Sequence, residues 1–403
     1  MSGAAPRVLR VGAAGLGRAF TLMLPTLRAD PRVRLAAGTD PRPEAGARLA
    51  AEFGARVHAD VAALCADPDV DLVYVATPHQ HHAEHVRIAA AHGKHVLVEK
   101  PMAITLDECA AMVEATRAAG VHLIVGHSHS FDLPYLRARG IIESGRLGAV
   151  RMINAQYYTD FMYRPRRPEE LDTSRGGGVI FSQGAHQIDL VRLLAGGRAV
   201  SVRAHTGAWD AVRPTEGAFA ALIGFEHGTF ASVVYSGYGH FDGDEMCDWI
   251  GESGLAKNPD AYMSGRAKLA GVQDAAAEAA LKAARNFGGT AYVAPAADAP
   301  RHHQHFGHVV VCCDRGDIKP GPRAVTVYAD QGRSVELLPV PTVPRVEVID
   351  EAYAAVAEGR PPLHDGPWSM ATLEVCLAIL ESARTGREVA LHHQVAPRAV
   401  RLP

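Results

Sequence analysis

A glycine-rich segment near the N-terminus has the composition of a turn that binds a dinucleotide. Gly12-Ala13-Ala14-Gly15-Leu16-Gly17 follows a predicted strand over residues 8–11 and precedes a helical stretch. In that position, glycines let backbone N–H groups approach a pyrophosphate at the start of the helix. The third position of the G-x-G-x-x-G pattern, counted from Gly15, is Phe20, which predicts looser packing of the helix on the strand. The expected dinucleotide contacts are Gly12, Gly15, Leu16 and Gly17.

Asp40 ends the second predicted strand, near the offset of about 20 residues at which a carboxylate binds the ribose hydroxyls of a dinucleotide. Its negative charge would repel a 2′-phosphate and therefore favours NAD as the cofactor. Arg42 could instead neutralise that phosphate, which leaves NADP open. The structural alternative for Asp40 is a helix N-cap before Pro41.

Three arginines, Arg164, Arg166 and Arg167, lie close together in the sequence. Guanidinium groups bind carboxylates through paired hydrogen bonds, so these residues predict an anionic substrate. The alternative is an exposed basic turn that forms ion pairs with Glu169 and Glu170.

Two histidines, His127 and His129, follow the last predicted strand of the N-terminal region. They would lie at the carboxyl edge of the sheet, where open α/β sheets bind their ligands, and are candidates for the substrate pocket. A loop histidine held by hydrogen bonds is the alternative for each.

The elements around these residues change character after residue 126. Before it, short apolar strands over residues 8–11, 33–39, 72–76, 95–98 and 122–125 alternate with helices such as 42–53 and 82–92, which predicts a parallel α/β sheet. After a helix near 133–144, longer segments of period-two alternation predict an open, mostly antiparallel sheet. Those alternating segments cover residues 150–158, 200–208, 219–225 and 229–237.

The region 256–322 has no sustained strand pattern and reads as an insertion with one helix near 274–285. This insertion is a candidate lid. Strand signals resume at 324–338, and helices at 346–358 and 368–385 close the chain. The expected domains are thus a dinucleotide-binding α/β domain over 1–126 and an α+β substrate domain over 127–403.

The composition restricts the partners. The chain has 403 residues and a formal net charge of -3, so it is long enough for two domains but lacks the broad basic surface that nucleic acid or an anionic membrane requires. A small-molecule partner is favoured. The six cysteines form no C-x-x-C pair, and no signal peptide or apolar span is visible, which together predict a cytoplasmic protein.

Four motifs together resemble the Gfo/Idh/MocA oxidoreductase family, and the resemblance extends from residue 8 to about 391 with only 256–322 outside the common plan. The motifs are Ala-Thr-Pro-His-Gln-His-His at 76–82, Glu99-Lys100-Pro101, Gly176-Gly177-Gly178 and Gly184-Ala185-His186-Gln187-Ile188-Asp189.

The resemblance implies roles for individual residues. Lys100 would take the hydroxyl proton during hydride transfer, and the peptide bond that follows this lysine is often cis in the family. His186 would contact the reacting hydroxyl or relay its proton. The remaining cofactor contacts would be Thr77, Pro78, His82 and Glu99. Family members usually associate through the exposed face of the C-terminal sheet, which implies a homodimer or homotetramer.

Ser182 stands four residues before His186, where inositol-type members of the family carry an aspartate. Loss of that carboxylate argues against an unmodified sugar mechanism and removes a charge that would repel an anionic substrate, so Ser182 is a candidate substrate contact.

Within the family, the segments 126–131, 158–168 and 236–242 resemble the bacterial phthalate 4,5-cis-dihydrodiol dehydrogenases. This narrower resemblance implies an NAD-dependent oxidation of a cyclic cis-dihydrodiol carboxylate to a catechol. A sugar or inositol dehydrogenase of the same fold is the alternative enzyme. A dinucleotide-binding protein without catalytic activity is the alternative from another class.

Twenty-one histidines raise the question of a metal. Histidine-rich tracts can bind zinc, but the first tract overlaps the Ala-Thr-Pro motif, and the second lacks a carboxylate at ligand spacing. We therefore expect no metal. The tracts are His79, His81, His82 and His85, and His302, His303, His305 and His308 with Cys312 and Cys313.

Overall fold

The computed structural model describes residues 7–261, 264–294 and 301–400. They divide into two units, and neither follows a single stretch of sequence. The first unit contains Met1–His127, Ala280–Ala296 and Val343–Ser369, and the second contains Ser128–Ala279, Ala297–Thr342 and Met370–Pro403. Parts of the expected insertion and one of the closing helices therefore group with the N-terminal region.

The first unit is built on a six-stranded parallel sheet in the order β3-β2-β1-β4-β5-β6. This order is that of a Rossmann fold, in which ligands bind beyond the carboxyl ends of the strands. Its central strands are apolar and buried, as expected for a sheet covered on both faces. The strands are β1 Leu9–Ala14, β2 Val33–Thr39, β3 Arg56–Val57, β4 Leu72–Val75, β5 His95–Val98 and β6 Leu123–Val125.

The second unit is built on a nine-stranded sheet in the order β14-β13-β12-β11-β7-β10-β9-β8-β15. Only the pair β7 and β10 is parallel among the pairings described for this sheet. The strands are β7 Val150–Tyr158, β8 Ala199–Gly207, β9 Ala218–Phe225, β10 Phe230–Ser236, β11 His308–Cys313, β12 Gly316–Pro320, β13 Ala324–Ala329, β14 Gly332–Leu337 and β15 Val389–Ala390.

Helices connect and cover the strands. Between Ala185 and Leu194 every residue of α7 is buried, so this helix belongs to the core of the second unit. The helices are α1 Arg18–Ala29, α2 Pro43–Phe53, α3 Val61–Ala66, α4 His82–Ala91, α5 Leu106–Ala118, α6 Leu133–Glu143, α7 Ala185–Ala195, α8 Ser264–Leu269, α9 Ala275–Ala284, α10 Val346–Glu358 and α11 Gly366–Thr385.

The predicted fold class, a parallel Rossmann sheet followed by a mostly antiparallel sheet, is confirmed. One detail is wrong. The region 256–322 was expected to lack strands, yet it supplies β11 and β12, and β11 pairs with β7 in the middle of the sheet. The signal at 324–338 is two strands, β13 and β14, joined by a tight turn.

In the part of the chain that the structure describes, no helix is long and apolar enough to span a membrane.

Candidate functional site

The glycine-rich turn has a backbone that only glycine fits. Gly15 has a φ of +89°, and a Cβ there would lie 2.8 Å from the carbonyl oxygen of Ala76. Its N–H donates to the carbonyl of Thr39 at 2.9 Å, which holds the turn between β1 and the ends of its two neighbouring strands. Gly12 is buried inside β1, so its contribution is to packing against Val70.

Gly17 lies directly before α1, and a Cβ there would meet no atom within 4 Å. Backbone at the N-terminus of this helix is therefore open to an anionic group, which the helix dipole favours. This geometry fits the pyrophosphate of a dinucleotide.

Asp40 faces the same turn. Its carboxylate accepts the N–H of Leu16 at 2.7 Å and the backbone N–H of Arg42 at 3.0 Å. The alternative role as a helix cap does not hold, because α2 begins at Pro43 with Arg42 at its N-cap. The Asp40 carboxylate therefore lies at the edge of the glycine-rich turn, where a dinucleotide ribose is expected.

The Arg42 guanidinium is bound by protein acceptors. It donates from Nε to Asp40 at 2.9 Å, from Nη2 to the Leu16 carbonyl at 2.9 Å, and from Nη1 to the Phe287 carbonyl at 3.1 Å. These three contacts point the group at the turn and at the segment around Phe287. A guanidinium held in this way is poorly placed to neutralise a 2′-phosphate.

Phe20 was expected to loosen the packing at the third position of the glycine pattern, and this expectation is wrong. Its ring is fully buried and packs edge-to-face on Phe287, with the ring centroids 5.3 Å apart. The large side chain is accommodated because Phe287, in the segment 280–294, supplies a partner for it.

Lys100 follows β5 and is half-buried. The preceding residue, Glu99, is buried and accepts the Tyr74 hydroxyl at 2.6 Å. Burial raises the pKa of the Glu99 carboxyl above its usual range. The Lys100–Pro101 peptide bond is cis, as the resemblance implied. Glu99 thus holds the end of β5 against β4, and the catalytic role of Lys100 stays a prediction.

His82 connects the Ala-Thr-Pro motif that follows β4 with the Glu-Lys-Pro motif that follows β5. Its ring is fully buried, with Nδ1 3.0 Å from the Pro101 carbonyl and Nε2 2.9 Å from the Thr77 carbonyl. Burial lowers the pKa of His82 to about 4. The structure therefore gives His82 a positioning contact between the loop after β4 and the loop after β5.

Thr77 and Pro78 lie half-buried at the carboxyl end of β4. The Thr77 hydroxyl lies 2.9 Å from His85 Nδ1 on α4. Both residues are at the edge of the sheet where a Rossmann fold binds its ligand, and a cofactor contact for them stays a prediction.

His127 ends the first unit and is buried, and the Gly126–His127 peptide bond is cis.

In the second unit, two buried histidines lie side by side. His129 and His186 have ring centroids 4.7 Å apart, and the Phe306 ring is 4.9 and 5.0 Å from them. His129 donates from Nδ1 to Asp132 at 2.6 Å, and its Nε2 is 3.6 Å from Glu252 Oε1. Burial opposes charge on this ring, but the two carboxylates raise the pKa of His129 above its usual value.

The turn that carries His129 is fixed by Asp189 of α7. This carboxylate accepts the Ser130 hydroxyl and, at 2.6 Å, the Thr372 hydroxyl of α11. Asp189 belongs to the same motif as His186, so one helix positions both histidines.

The three arginines have different contacts in the structure. Arg167 forms ion pairs with Glu169 at 3.2 Å and Glu170 at 3.5 Å, as in the alternative of a basic turn. Arg166 lies over the Phe161 ring at 3.6 Å and donates to the Phe161 carbonyl, and burial lowers its pKa to about 10. Arg164 faces Asp160 and Glu252, whose nearest oxygens are 3.4 and 3.7 Å away.

Ser182 lies in a wide π-helical turn, Ile180–Gly184, that leads into α7. Such turns are common at functional sites because they change the direction in which a helix presents its side chains. Near it, Tyr235 donates to Gln183 at 3.2 Å and lies 2.7 Å from the Thr159 hydroxyl.

Sequence reasoning missed Asp132, Glu252 and Phe306. Asp132 stands three residues after His129, a spacing that could have suggested the pair. Glu252 and Phe306 are distant from His129 in the sequence, and no local sequence pattern indicates that they contact it.

Two histidines of the second tract contact backbone carbonyls. His303 Nε2 lies 2.7 Å from the Pro339 carbonyl, and His305 Nε2 lies 2.7 Å from the Ile250 carbonyl. These two rings serve the loop before β11.

Two family models match most of the chain. Residues 9–127 match a model described as an oxidoreductase family with an NAD-binding Rossmann fold, and residues 135–257 match the corresponding GFO/IDH/MocA C-terminal domain.

Individual relatives are similar over between about two thirds and nearly all of the chain. The 1-carboxy-3-chloro-3,4-dihydroxycyclohexa-1,5-diene dehydrogenase of Comamonas testosteroni is 48% identical over 93% of this chain and 95% of its own. Inositol 2-dehydrogenase 2 of Saccharopolyspora erythraea is 32% identical over 64% of this chain and 74% of its own. A solved dehydrogenase structure from Bordetella bronchiseptica RB50 covers 95% of this chain and 100% of its own, with a TM-score of 0.88 and 44% identity.

Proposed function

The chain belongs to the Gfo/Idh/MocA family of NAD-binding oxidoreductases, and from this we propose that it oxidises a carboxylated cyclic cis-dihydrodiol to the corresponding catechol. The observation that carries the proposal is the 48% identity, along 93% of the chain, to a dehydrogenase named for a carboxylated dihydroxycyclohexadiene. The buried histidine pair and the neighbouring arginines of the second unit supply the polar groups that such a substrate needs.

For the cofactor, the backbone around Gly15 and Gly17 would bind the pyrophosphate, and Asp40 would accept hydroxyls of the ribose. NAD⁺, when bound, supplies the acceptor for a hydride. NAD is favoured over NADP because the Asp40 carboxylate lies at the turn while the Arg42 guanidinium is bound by Asp40, Leu16 and Phe287.

Lys100 is the proposed base. Its neutral amine would take the proton from the substrate hydroxyl at Nζ while the carbinol C–H bond gives up its hydride. The resulting hydroxyketone tautomerises to a catechol, which makes the oxidation favourable. His186 would hydrogen-bond the reacting hydroxyl.

Arg164 and Arg166 are the proposed carboxylate contacts, because guanidinium groups form paired hydrogen bonds with carboxylates. Arg167 is less suited, since it lies 3.2 Å from Glu169 and 3.5 Å from Glu170, whereas the ion pairs of Arg166 with Glu170 and of Arg164 with Glu252 are longer, at 3.9 and 3.7 Å. Ser182 and the histidines His127 and His129 remain proposed substrate contacts. Within this class we propose phthalate 4,5-cis-dihydrodiol, which carries two carboxylates.

A substrate panel tests the proposal. The purified protein is given NAD⁺ with phthalate 4,5-cis-dihydrodiol, a monocarboxylated cis-dihydrodiol, a dihydrodiol without a carboxylate, myo-inositol or glucose, and formation of reduced nicotinamide is followed by absorbance. We expect kcat/KM to be highest for the carboxylated diols. Preference for myo-inositol would support the second candidate, an inositol dehydrogenase, which the 32% identity to Inositol 2-dehydrogenase 2 favours and Ser182 opposes.

A further inference from the structure

We propose that His129, His186 and Glu252 form a site for one divalent transition-metal cation in the second unit. One ligand atom from each residue lies within 4.8 Å of the others. All three residues belong to the second unit, so the cluster does not depend on how the two units are arranged.

The spacing suits a metal. Divalent zinc and similar ions hold nitrogen and oxygen ligands at about 2.0–2.2 Å, so neighbouring ligand atoms lie roughly 3–4 Å apart around the ion. His129 Nε2 and Glu252 Oε1 are 3.6 Å apart. Small side-chain adjustments would bring the three atoms onto one centre.

Asp132 gives His129 the form that a ligand needs. Because Nδ1–H of this ring donates to the Asp132 carboxylate at 2.6 Å, the lone pair of the neutral ring is on Nε2, which faces Glu252. A carboxylate behind a ligating histidine is a common feature of metal sites, where it fixes the ring and makes it more basic.

Burial of the two histidine ligands would slow the exchange of a bound ion with solvent. His129 and His186 are 1% and 6% exposed, and the Phe306 ring covers both. Glu252 is the more accessible ligand, with 27% of its side chain exposed, and so marks the side from which an ion would enter. The negative charges of Asp132 and Glu252 attract a cation to the cluster.

Arg164 is the positively charged side chain that would repel a cation bound at Glu252. Its Nη1 lies 3.7 Å from Glu252 Oε2, whereas His129 faces the other oxygen, Oε1. The carboxylate can therefore use one oxygen for the metal and the other for Arg164.

Two imidazoles and a carboxylate suit Zn²⁺, Co²⁺, Fe²⁺ or Mn²⁺ and leave coordination positions for oxygen ligands. If the proposed function holds, the vicinal hydroxyls of the diol would take those positions, and the cation would make a bound hydroxyl more acidic. Binding of the ion itself does not depend on the proposed function. The proposed metal site revises the expectation of no metal, because that expectation was based only on the dense histidine tracts.

Cobalt(II) binding tests the inference without any substrate. Purified protein is stripped with a chelator, dialysed and titrated with Co²⁺, while visible absorption reports the ligand field and elemental analysis gives the stoichiometry. We expect one Co²⁺ per chain, which Zn²⁺ displaces. Absence of a cobalt spectrum, or of stoichiometric binding, would overturn the proposal.

Variants assign the ligands. Glu252→Gln, at the part-exposed ligand, and His129→Gln should each abolish stoichiometric Co²⁺ binding, and Asp132→Asn should weaken it by about 10–100-fold. His205→Gln, which changes an exposed histidine of the same unit, is the control and should bind as the wild type does. Circular dichroism checks that each variant is folded. Wild-type affinity in folded Glu252→Gln and His129→Gln would overturn the assignment.

The outcomes separate this inference from the proposed function. A protein that oxidises carboxylated dihydrodiols but binds no Co²⁺ retains the function and loses the metal site. A protein that binds Co²⁺ through these ligands but oxidises none of the diols retains the metal site and loses the proposed function.

Discussion

At the scale of single residues, Lys100 is the group on which turnover should depend most. We predict that Lys100→Met lowers kcat on the carboxylated dihydrodiol by about 10²–10⁴-fold, because the hydroxyl proton loses its acceptor. Affinity for NADH, measured by fluorescence titration, should change little, since the glycine-rich turn and Asp40 are untouched. An unchanged kcat would refute the assignment of Lys100.

Arg166 and Arg167 differ in their contacts although they are adjacent in the sequence. We predict that Arg166→Gln raises KM for the carboxylated diol by about 10–100-fold, the effect of losing one hydrogen bond to a charged group. Arg167→Gln should have little effect, because that side chain is paired with Glu169 and Glu170. Steady-state kinetics on both variants checks this, with a diol that lacks the carboxylate as control. Equal changes for the two substrates would contradict carboxylate recognition.

Residue types and spacing predicted the local geometry of part of the candidate site. The glycine-rich turn, Asp40 and Lys100 belong to short motifs, so their surroundings can be inferred locally. Asp132 and Glu252 could not be assigned in the same way, because their meaning depends on contact with His129 and, for Glu252, on a distant part of the chain. Phe20 misled the sequence argument for the same reason, since its partner Phe287 is far away.

At the scale of elements, the segment 280–294 should influence the choice of cofactor. The Phe287 carbonyl accepts a hydrogen bond from Arg42, and its ring is buried against Phe20. We predict that Phe287→Ala loosens this segment, frees Arg42 and lowers the ratio of the NADPH to the NADH dissociation constant. Fluorescence titration with both nucleotides measures the ratio. Val293→Ala, at an 84% exposed position of the same segment, is the control. A ratio equal to that of the wild type in Phe287→Ala would contradict this role.

Strands β1 and β4 are joined at their starts by an ion pair whose loss should be visible as acid sensitivity. Arg10 donates to both oxygens of Asp71, and this contact lowers the pKa of Asp71 to about 2. A carboxyl with a lowered pKa in the folded state stabilises the protein fully above its unfolded pKa of about 4, and the contribution is lost as pH falls toward 2.

We therefore predict that Asp71→Asn lowers the free energy of unfolding near pH 7 by about 1 kcal/mol, because solvent screens the pair, and makes stability less dependent on pH between about 4 and 2. Denaturant midpoints at several pH values measure both effects. Asp69→Asn, at a side chain with 48% exposure, should change them much less. The same acid sensitivity in Asp71→Asn as in the wild type would contradict the role of this pair.

The elements themselves were largely predictable, because buried parallel strands and alternating strands have different hydrophobic patterns. The exceptions have physical reasons. β3 is two exposed residues long and has no apolar pattern. β11 and β12 lie within a region rich in alanine, glycine and histidine, and their membership of the nine-stranded sheet follows from the pairing of β11 with β7 and of β12 with β11 and β13.

At the scale of the whole molecule, we propose self-association through the open face of the nine-stranded sheet. Leu222 and Phe230 are 51% and 42% exposed, and the pairing of Phe230 with Gly224 places both on one face. We predict that Leu222→Asp shifts the protein to a smaller species in light scattering coupled to size-exclusion chromatography. An unchanged mass would exclude this face, and Val212→Asp, at an 82% exposed position away from the strands, is the control.

We propose that this protein transfers a hydride from the carbinol carbon of a carboxylated cis-dihydrodiol to NAD⁺. The most direct test is a limited-turnover reaction with a diol deuterated at that carbon, followed by mass spectrometry of both products. We predict one catechol per reduced nicotinamide, with the deuterium on the nicotinamide ring. Catechol formed without labelled NADH, or no reaction with any carboxylated dihydrodiol, would contradict the claim.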